Sequence, residues 1–181
     1  SMPTPRTPGC ADAACKTFSA RAKRVNSPET SWRRWLLVSA AVIALDQASK
    51  FLVANALSLG EQRELLPVFN LVLAHNSGAA FSLLANAAGW QRLFFSTIAV
   101  AAAAIILHLL RRHAHQRLFS FALALILGGA LGNLLDRAWL GYVVDFLDFH
   151  WNAHHFPAFN VADSAITCGA ILLVWESMRK S

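Results

Sequence analysis

Long apolar runs separated by shorter polar segments form the main pattern of this chain. Four runs, at residues 35–57, 93–110, 118–135 and 158–175, each approach the roughly 20 apolar residues that a transmembrane helix needs. Four such runs in 181 residues are too many for the buried helices of one soluble core. The pattern therefore predicts an α-helical integral membrane protein with four transmembrane helices.

A different pattern lies between the first two spans. The segment from Val68 to Leu73 is too short to cross a bilayer, and its β-branched and aromatic residues predict a strand. It runs into Asn76-Ser77-Gly78, a turn signal in which Gly78 can take a positive φ. Two interpretations remain open here. One is an ordinary hairpin, and the other is a site in which the Asn76 carboxamide, a donor and an acceptor, holds an extended peptide.

Composition agrees with a membrane protein, since 56% of the residues are hydrophobic and only 14% are charged. Residues 1–31 lack helical periodicity and are predicted to be a disordered cytoplasmic arm, leaving residues 32–181 as the membrane domain. Of the three cysteines, two lie in this arm and Cys168 lies in a span, so we expect reduced thiols and no disulfide.

The basic residues predict the orientation of the spans. On one side of the predicted membrane lie Arg33, Arg34, Arg111, Arg112, Arg117, Arg179 and Lys180, and on the other only Arg63, Arg92 and Arg137. Because basic residues are retained in the cytoplasm, both termini and the 111–117 loop are predicted to be cytoplasmic. The loops 58–92 and 136–157 then face the opposite side.

The first span contains an acidic and a basic residue, Asp46 and Lys50, which lie on one helical face at i,i+4. Each charge would be costly in lipid without a partner. A mutual ion pair facing the bundle interior explains both residues structurally. Contact with a substrate or a lipid is the functional alternative.

The third span ends in a glycine-rich and polar sequence. Gly128 and Gly132 have the small-x3-small spacing that lets helices approach closely. Asn133, Asp136 and Arg137 then fall on one face at i, i+3 and i+4. We interpret Asp136 as the partner of Arg137 in a structural salt bridge.

Two further acidic residues flank the start of the fourth span. If Asn160 is the N-cap of that helix, Asp163 is its N3 residue, where a carboxylate is favoured by the helix dipole. This accounts for Asp163 structurally but does not account for Asp145, which lies in an apolar sequence before the span. Two carboxyls that meet at the membrane boundary favour a pair sharing one proton, which activates water.

Five stretches of the chain resemble bacterial lipoprotein signal peptidase, also called signal peptidase II. They are Asp46-Gln47-Ala48-Ser49-Lys50, Asn76-Ser77-Gly78-Ala79-Ala80-Phe81, Gly132-Asn133-Leu134-Leu135-Asp136-Arg137, Val143-Val144-Asp145-Phe146 and Phe159-Asn160-Val161-Ala162-Asp163-Ser164. They occur in the order of the family and cover roughly residues 36–178. The resemblance implies an aspartic endopeptidase of the bacterial inner membrane with a small periplasmic β-sheet cradle, which would include residues 61–84.

By this resemblance, the enzyme cleaves prolipoproteins before a diacylglyceryl-modified cysteine, at the periplasmic side of the membrane. The two catalytic aspartates correspond to Asp145 and Asp163. The polar residues that would bind substrate correspond to Asp46, Lys50, Asn76, Asn133, Arg137 and Asn160, and we add Gly78 beside Asn76. Asp136 corresponds to a supporting position. We expect no metal and no cofactor, membrane lipid as a partner, no nucleic acid and a monomeric protein.

Two other classes of function were weighed against the peptidase. A small proton-conducting transporter would use Asp46, Lys50, Asp136 and Asp163 as a relay, but these residues do not extend across the bilayer. A metallohydrolase would use Asp148, His150, His154 and His155 as ligands, although adjacent histidines on a helix cannot both face one metal. In the peptidase reading, Asp148 is dispensable for activity.

Overall fold

Four long helices form the body of the protein in a computed structural model that describes residues 28–78, 90–152 and 154–180. They are α1 (Pro28–Ala56), α2 (Trp90–His113), α3 (Arg117–Trp139) and α4 (Val161–Lys180). All four are long and apolar enough to cross a membrane, as predicted. The predicted arm lies mostly outside the described residues, and α1 begins at Pro28, before the predicted boundary at residue 32.

Glycine contacts place α3 in the centre of the helices. A side-chain carbon at Gly128 would lie 2.7 Å from Cβ of Val42 in α1, and one at Gly132 would lie 2.8 Å from Oδ2 of Asp46. On the neighbouring face, Gly129 lies directly against the carbonyl of Ala162 at the start of α4. The predicted close approach at Gly128 and Gly132 is therefore confirmed, and it extends to α4.

A four-stranded antiparallel sheet, in the order β1-β2-β3-β4, is attached to one end of the helices. Its strands are β1 (Gln62–Leu66), β2 (Phe69–Asn76), β3 (Val143–Trp151) and β4 (His154–His155). The predicted strand at 68–73 corresponds to β2. The predicted loop at residues 136–157 contains β3, a strand that the sequence pattern does not indicate. Because residues 143–146 are buried on both faces, they carry no alternating pattern that would mark a strand.

Two sets of contacts fix the position of β3. Val144 and Phe146 pack with Val53, Leu57 and Leu73 in a core between the sheet and the end of α1. The backbone N–H groups of Phe146 and Leu147 donate to the carbonyl of Phe159, at 3.0 and 2.8 Å. Since side chains alternate along a strand, Asp145 points away from the core that holds Val144 and Phe146. The strand therefore presents Asp145 close to the start of α4.

The contact of Gly129 with α4 gives a test of this packing. We expect Gly129→Ala to lower the stability of the protein by about 1–3 kcal/mol, because the added methyl group has no space against the backbone of Ala162. The measurement is the thermal unfolding midpoint in detergent. Ala104→Leu, at an exposed position of α2, is the control and should leave the midpoint nearly unchanged. Equal midpoints for the wild-type protein and the Gly129 variant would contradict the packing.

Candidate active site

The side chains of Asp145 and Asp163 are linked through two asparagines at the junction of β3, α3 and α4. Asp145 is only 2% exposed. Its Oδ1 accepts a hydrogen bond from Nδ2 of Asn160 at 2.7 Å, and its Oδ2 accepts one from Nδ2 of Asn76 at 2.9 Å. Oδ1 of Asp163 accepts a hydrogen bond from Nδ2 of Asn133 at 2.8 Å. The two acids predicted to be catalytic are therefore brought into one hydrogen-bonded network.

Asn160 connects the two acids directly. Its Oδ1 accepts the backbone N–H of Asp163 at 2.9 Å, which makes Asn160 the N-cap of α4 and Asp163 its N3 residue, as predicted. Because the amide oxygen is used by the cap, the amide nitrogen is directed towards Asp145. One fully buried side chain thus starts the helix that carries Asp163 and orients the carboxyl of Asp145.

Asn133 is oriented in the same way by Lys50. Its Oδ1 accepts hydrogen bonds from Nζ of Lys50 at 3.0 Å and from Nδ2 of Asn160 at 3.2 Å. The amide nitrogen of Asn133 therefore faces Asp163. As a result, each of the two asparagines donates a hydrogen bond to one of the two acids.

Lys50 is itself held by two buried carboxylates. Its Nζ lies 2.7 Å from Asp46 and 2.8 Å from Asp136. The predicted ion pair between Asp46 and Lys50 is confirmed. The predicted salt bridge between Asp136 and Arg137 is wrong: it does not occur among the described ion pairs. Adjacent residues on a helix do not face each other, and Asp136 faces α1 instead.

The same two carboxylates also hold the backbone around the site. Oδ1 of Asp46 accepts the N–H of Ala162 at 2.9 Å, and Oδ2 of Asp136 accepts the N–H of Val144 at 3.2 Å. Sequence analysis missed Gln47, whose Nε2 donates to Asp136 at 2.8 Å. Its position beside Asp46, in a span with few other polar residues, is the feature of the sequence that could have indicated this role.

Burial separates the predicted substrate-binding residues into two groups. Asp46, Lys50, Asn133 and Asn160 have exposed fractions of 0%, 4%, 7% and 0%, and all are hydrogen-bonded within the protein. Their burial favours a positioning role over the predicted contact with substrate.

Of the other three predicted binding residues, Arg137 and Asn76 are less buried than these four, whereas Gly78 is buried. Arg137 is half-buried, with its Nη1 donating to the carbonyl of Asn133 at 3.4 Å and its guanidinium 5.2 Å from the ring centroid of Phe95. Asn76 is also half-buried, and its Oδ1 accepts the N–H of Gly78 at 2.9 Å. Gly78 has the predicted positive φ, at 90°. Arg137 and Asn76 are therefore the members of the predicted binding set whose side chains remain partly exposed.

The electrostatics of the site make Asp145 easier to protonate than an ordinary aspartate. Burial raises the pKa of Asp145 to about 6, and the negative charge of Asp163 also raises it. The hydrogen bonds from Asn76 and Asn160 act in the opposite direction, since they stabilise the ionised form. Two carboxyls coupled in this way titrate as a pair and hold one proton between them over a range of pH.

Asp148 and His155 have a structural explanation. Asp148 accepts hydrogen bonds from Gln62 at 2.9 Å and Asn70 at 3.0 Å, and its Oδ2 lies 2.9 Å from Nδ1 of His155. Burial opposes the ionisation of Asp148, but the hydrogen bonds from Asn70 and His155 outweigh it and lower its pKa. Asp148 thus joins β3 to the other three strands. Within the described ranges, no group of three acidic, histidine or cysteine side chains is suited to a metal ion.

Comparison with known proteins gives the family. The family model for signal peptidase (SPase) II matches residues 38–179. The lipoprotein signal peptidase of Burkholderia cenocepacia (strain HI2424) is 52% identical over 165 residues, which cover 91% of this chain and 96% of that protein. The lipoprotein signal peptidase of Burkholderia thailandensis is 54% identical over 146 residues, covering 81% and 88%.

Solved structures of similar fold agree with this family assignment. Two structures, both titled as bacterial membrane enzymes, are 30% identical to this chain, with TM-scores of 0.71 and 0.73. They align with 81% and 82% of this chain and with 88% and 94% of their own. The predicted resemblance is confirmed by these matches over nearly the whole membrane domain. The chain belongs to the signal peptidase II family, the aspartic peptidases that cleave signal peptides from prolipoproteins.

Proposed function

We propose that Asp145 and Asp163 are the catalytic pair of this peptidase, and that the bond cleaved lies just before a diacylglyceryl-modified cysteine. The observation that supports the pair is the Asn160 side chain, which donates to Asp145 and caps the helix at Asp163. Among the described residues, no other two acidic side chains are joined by one residue in this way and also lack contact with a cation. Asp46 and Asp136, by contrast, both contact the ammonium group of Lys50.

In the proposed reaction, one water molecule lies between the two carboxyls. The ionised carboxylate takes a proton from this water as it attacks the scissile carbonyl carbon, and the protonated carboxyl donates its proton to the carbonyl oxygen. The resulting tetrahedral intermediate collapses with proton transfer to the leaving amine. The two carboxyls and the water supply every group that this hydrolysis requires. The base is a property of the pair and is not assigned to one residue.

The position of the pair fits a substrate that is partly embedded in lipid. Asp163 lies in the first turn of α4, and Asp145 lies in a strand just outside the helices. Acyl chains attached to the substrate cysteine would remain in the bilayer while the scissile peptide reaches the polar edge. Arg137, Asn76 and Gly78 are the residues proposed to contact this peptide or the lipid ester.

The proposed orientation follows the basic residues. With both termini in the cytoplasm of the inner membrane, the sheet and the acid pair lie on the periplasmic side. We propose that the protein acts there as a monomer, because one chain supplies all the residues assigned to the site, from α1, β2 and the residues after it, α3, β3 and the start of α4.

The assignment of the pair is tested by removing one carboxylate at a time. Asp145→Asn and Asp163→Asn should each lower the rate of cleavage by roughly 10²–10⁴-fold or more, because neither amide can serve as the acid or the base. The measurement is cleavage of a purified diacylglyceryl-modified prolipoprotein. Glu64→Gln, at an exposed acid of β1, is the matched control and should cleave normally. Either aspartate variant cleaving at the wild-type rate would overturn the assignment.

The raised pKa of Asp145 predicts a pH dependence. The pair must keep one proton, so kcat/KM should fall as pH rises through about 6, where the pair loses that proton. Asn76→Ala removes a hydrogen bond that lowers this pKa, and the decline should move to higher pH. Asn55→Ala, at an exposed asparagine of α1, should leave the profile in place. A shift to lower pH in the Asn76 variant would contradict the proposed role of this hydrogen bond.

The division between binding and positioning residues is tested with Arg137 and Lys50. We expect Arg137→Gln to raise KM more than it lowers kcat, with a thermal unfolding midpoint close to that of the wild type. Lys50→Met should instead lower stability by about 3–5 kcal/mol, because it leaves two buried carboxylates without their cation. If Arg137→Gln unfolded the protein while Lys50→Met did not, the two roles would have to be exchanged.

A further inference from the structure

Arginines and tryptophans are concentrated at the end of the bundle opposite the acid pair. This cluster consists of Trp32, Arg33, Arg34 and Trp35 at the start of α1 and Arg111 at the end of α2. The guanidinium carbon of Arg111 lies 5.0 Å from the ring centroid of Trp32, and that of Arg33 lies 5.9 Å from the same ring. Two cations from different helices are therefore held beside one indole, despite their mutual repulsion.

Trp35 of this cluster is held in place by contacts with residues outside α1. Nε1 of Trp35 donates to the carbonyl of Ala114 at 3.3 Å, which joins α1 to the turn between α2 and α3. The Trp35 ring also packs edge-on against Phe121 of α3, with 6.4 Å between the ring centroids. Arg34 lies over Trp35, with 5.1 Å between its guanidinium carbon and the ring centroid. Arg34 thus lies over a ring whose position is fixed by contacts with Ala114 and Phe121.

The arginines of this cluster form no ion pair among the side chains whose positions the structure describes. The described ion pairs include Lys50, Arg63, Arg179 and Lys180, but none includes Arg33, Arg34 or Arg111. The preceding sequence does not supply the balance either. Residues 1–31 contain five basic and two acidic residues, which leaves three positive charges in excess.

A phosphodiester has the negative charge and the acceptor oxygens that would complement the arginines of this cluster. Guanidinium groups donate paired hydrogen bonds to phosphate oxygens, and stacking on an indole fixes the plane of the donors. Tryptophan rings are enriched at the level of lipid headgroups, and basic pockets at helix ends bind anionic lipids. We propose that the Trp32 cluster binds the phosphate headgroup of an anionic phospholipid. The cluster has no carboxylate for the ammonium group of a zwitterionic lipid among its described side chains.

The proposal is tested with the purified full-length chain in neutral detergent, titrated with phosphatidylglycerol and followed by native mass spectrometry. Arg33→Gln combined with Arg111→Gln should weaken binding of phosphatidylglycerol by about 25-fold, since each basic residue near a lipid surface contributes roughly a factor of five. Arg63→Gln, at an exposed arginine of the opposite end, is the matched control and should bind as the wild type does. Retained signal-peptide cleavage by the double variant would show that it is folded.

Two further sets of binding measurements identify the ligand. Phosphatidylcholine should bind much more weakly than phosphatidylglycerol to the wild type, and inorganic phosphate should not displace the lipid. Replacing both arginines by lysine keeps the charge but removes the planar donors, so it should weaken binding less than the glutamine pair does. The proposal would be overturned if the glutamine pair bound phosphatidylglycerol as tightly as the wild type. It would also be overturned by equal binding of both lipids, or by displacement with phosphate.

Discussion

The two hydrogen-bonding ends of the Asn160 side chain determine how the acid pair is assembled. A carboxamide has an acceptor on one side and a donor on the other, so capping α4 with the oxygen leaves the nitrogen free for Asp145. The cap fixes where α4 begins, and therefore where Asp163 lies. The donated hydrogen bond fixes the rotamer of Asp145. A residue without both functions would leave one of the two acids without its support.

Behind this asparagine, a buried group of charges provides the rigidity. Lys50 lies between Asp46 and Asp136, and each of these three side chains is at most 4% exposed. Burying charges is unfavourable unless every one is paired and hydrogen-bonded, and here the carboxylates also accept backbone N–H groups of α4 and β3. The unfavourable desolvation is offset by contacts that join α1, α3, α4 and the sheet. The group thus connects the stability of the helices to the geometry of the site.

The two ends of the bundle therefore have different proposed roles. At one end, the negative charge of Asp163 and the raised pKa of Asp145 maintain a pair suited to proton transfer. At the other end, arginines stacked on Trp32 and Trp35 leave positive charge facing the membrane boundary. The apolar helix surfaces between them, with Leu45, Phe51 and Leu52 at least 65% exposed, are matched to lipid. The proposed catalytic pair and the proposed lipid contact thus use different parts of the same four helices.

The sequence by itself determined the four spans, the ion pair between Asp46 and Lys50, the cap at Asn160 and, through five short motifs, the family. These features depend on residues close together in the chain, so period and spacing are enough to reveal them. Only the tertiary structure decided that β3 is a strand, that Asp136 pairs with Lys50 and not with Arg137, and that Gln47 takes part. Each of these depends on partners about 70 to 90 residues away, such as Asn76 for Asp145 and Gln47 for Asp136. Local patterns carry no information about such distant partners, because helix packing and strand pairing select them.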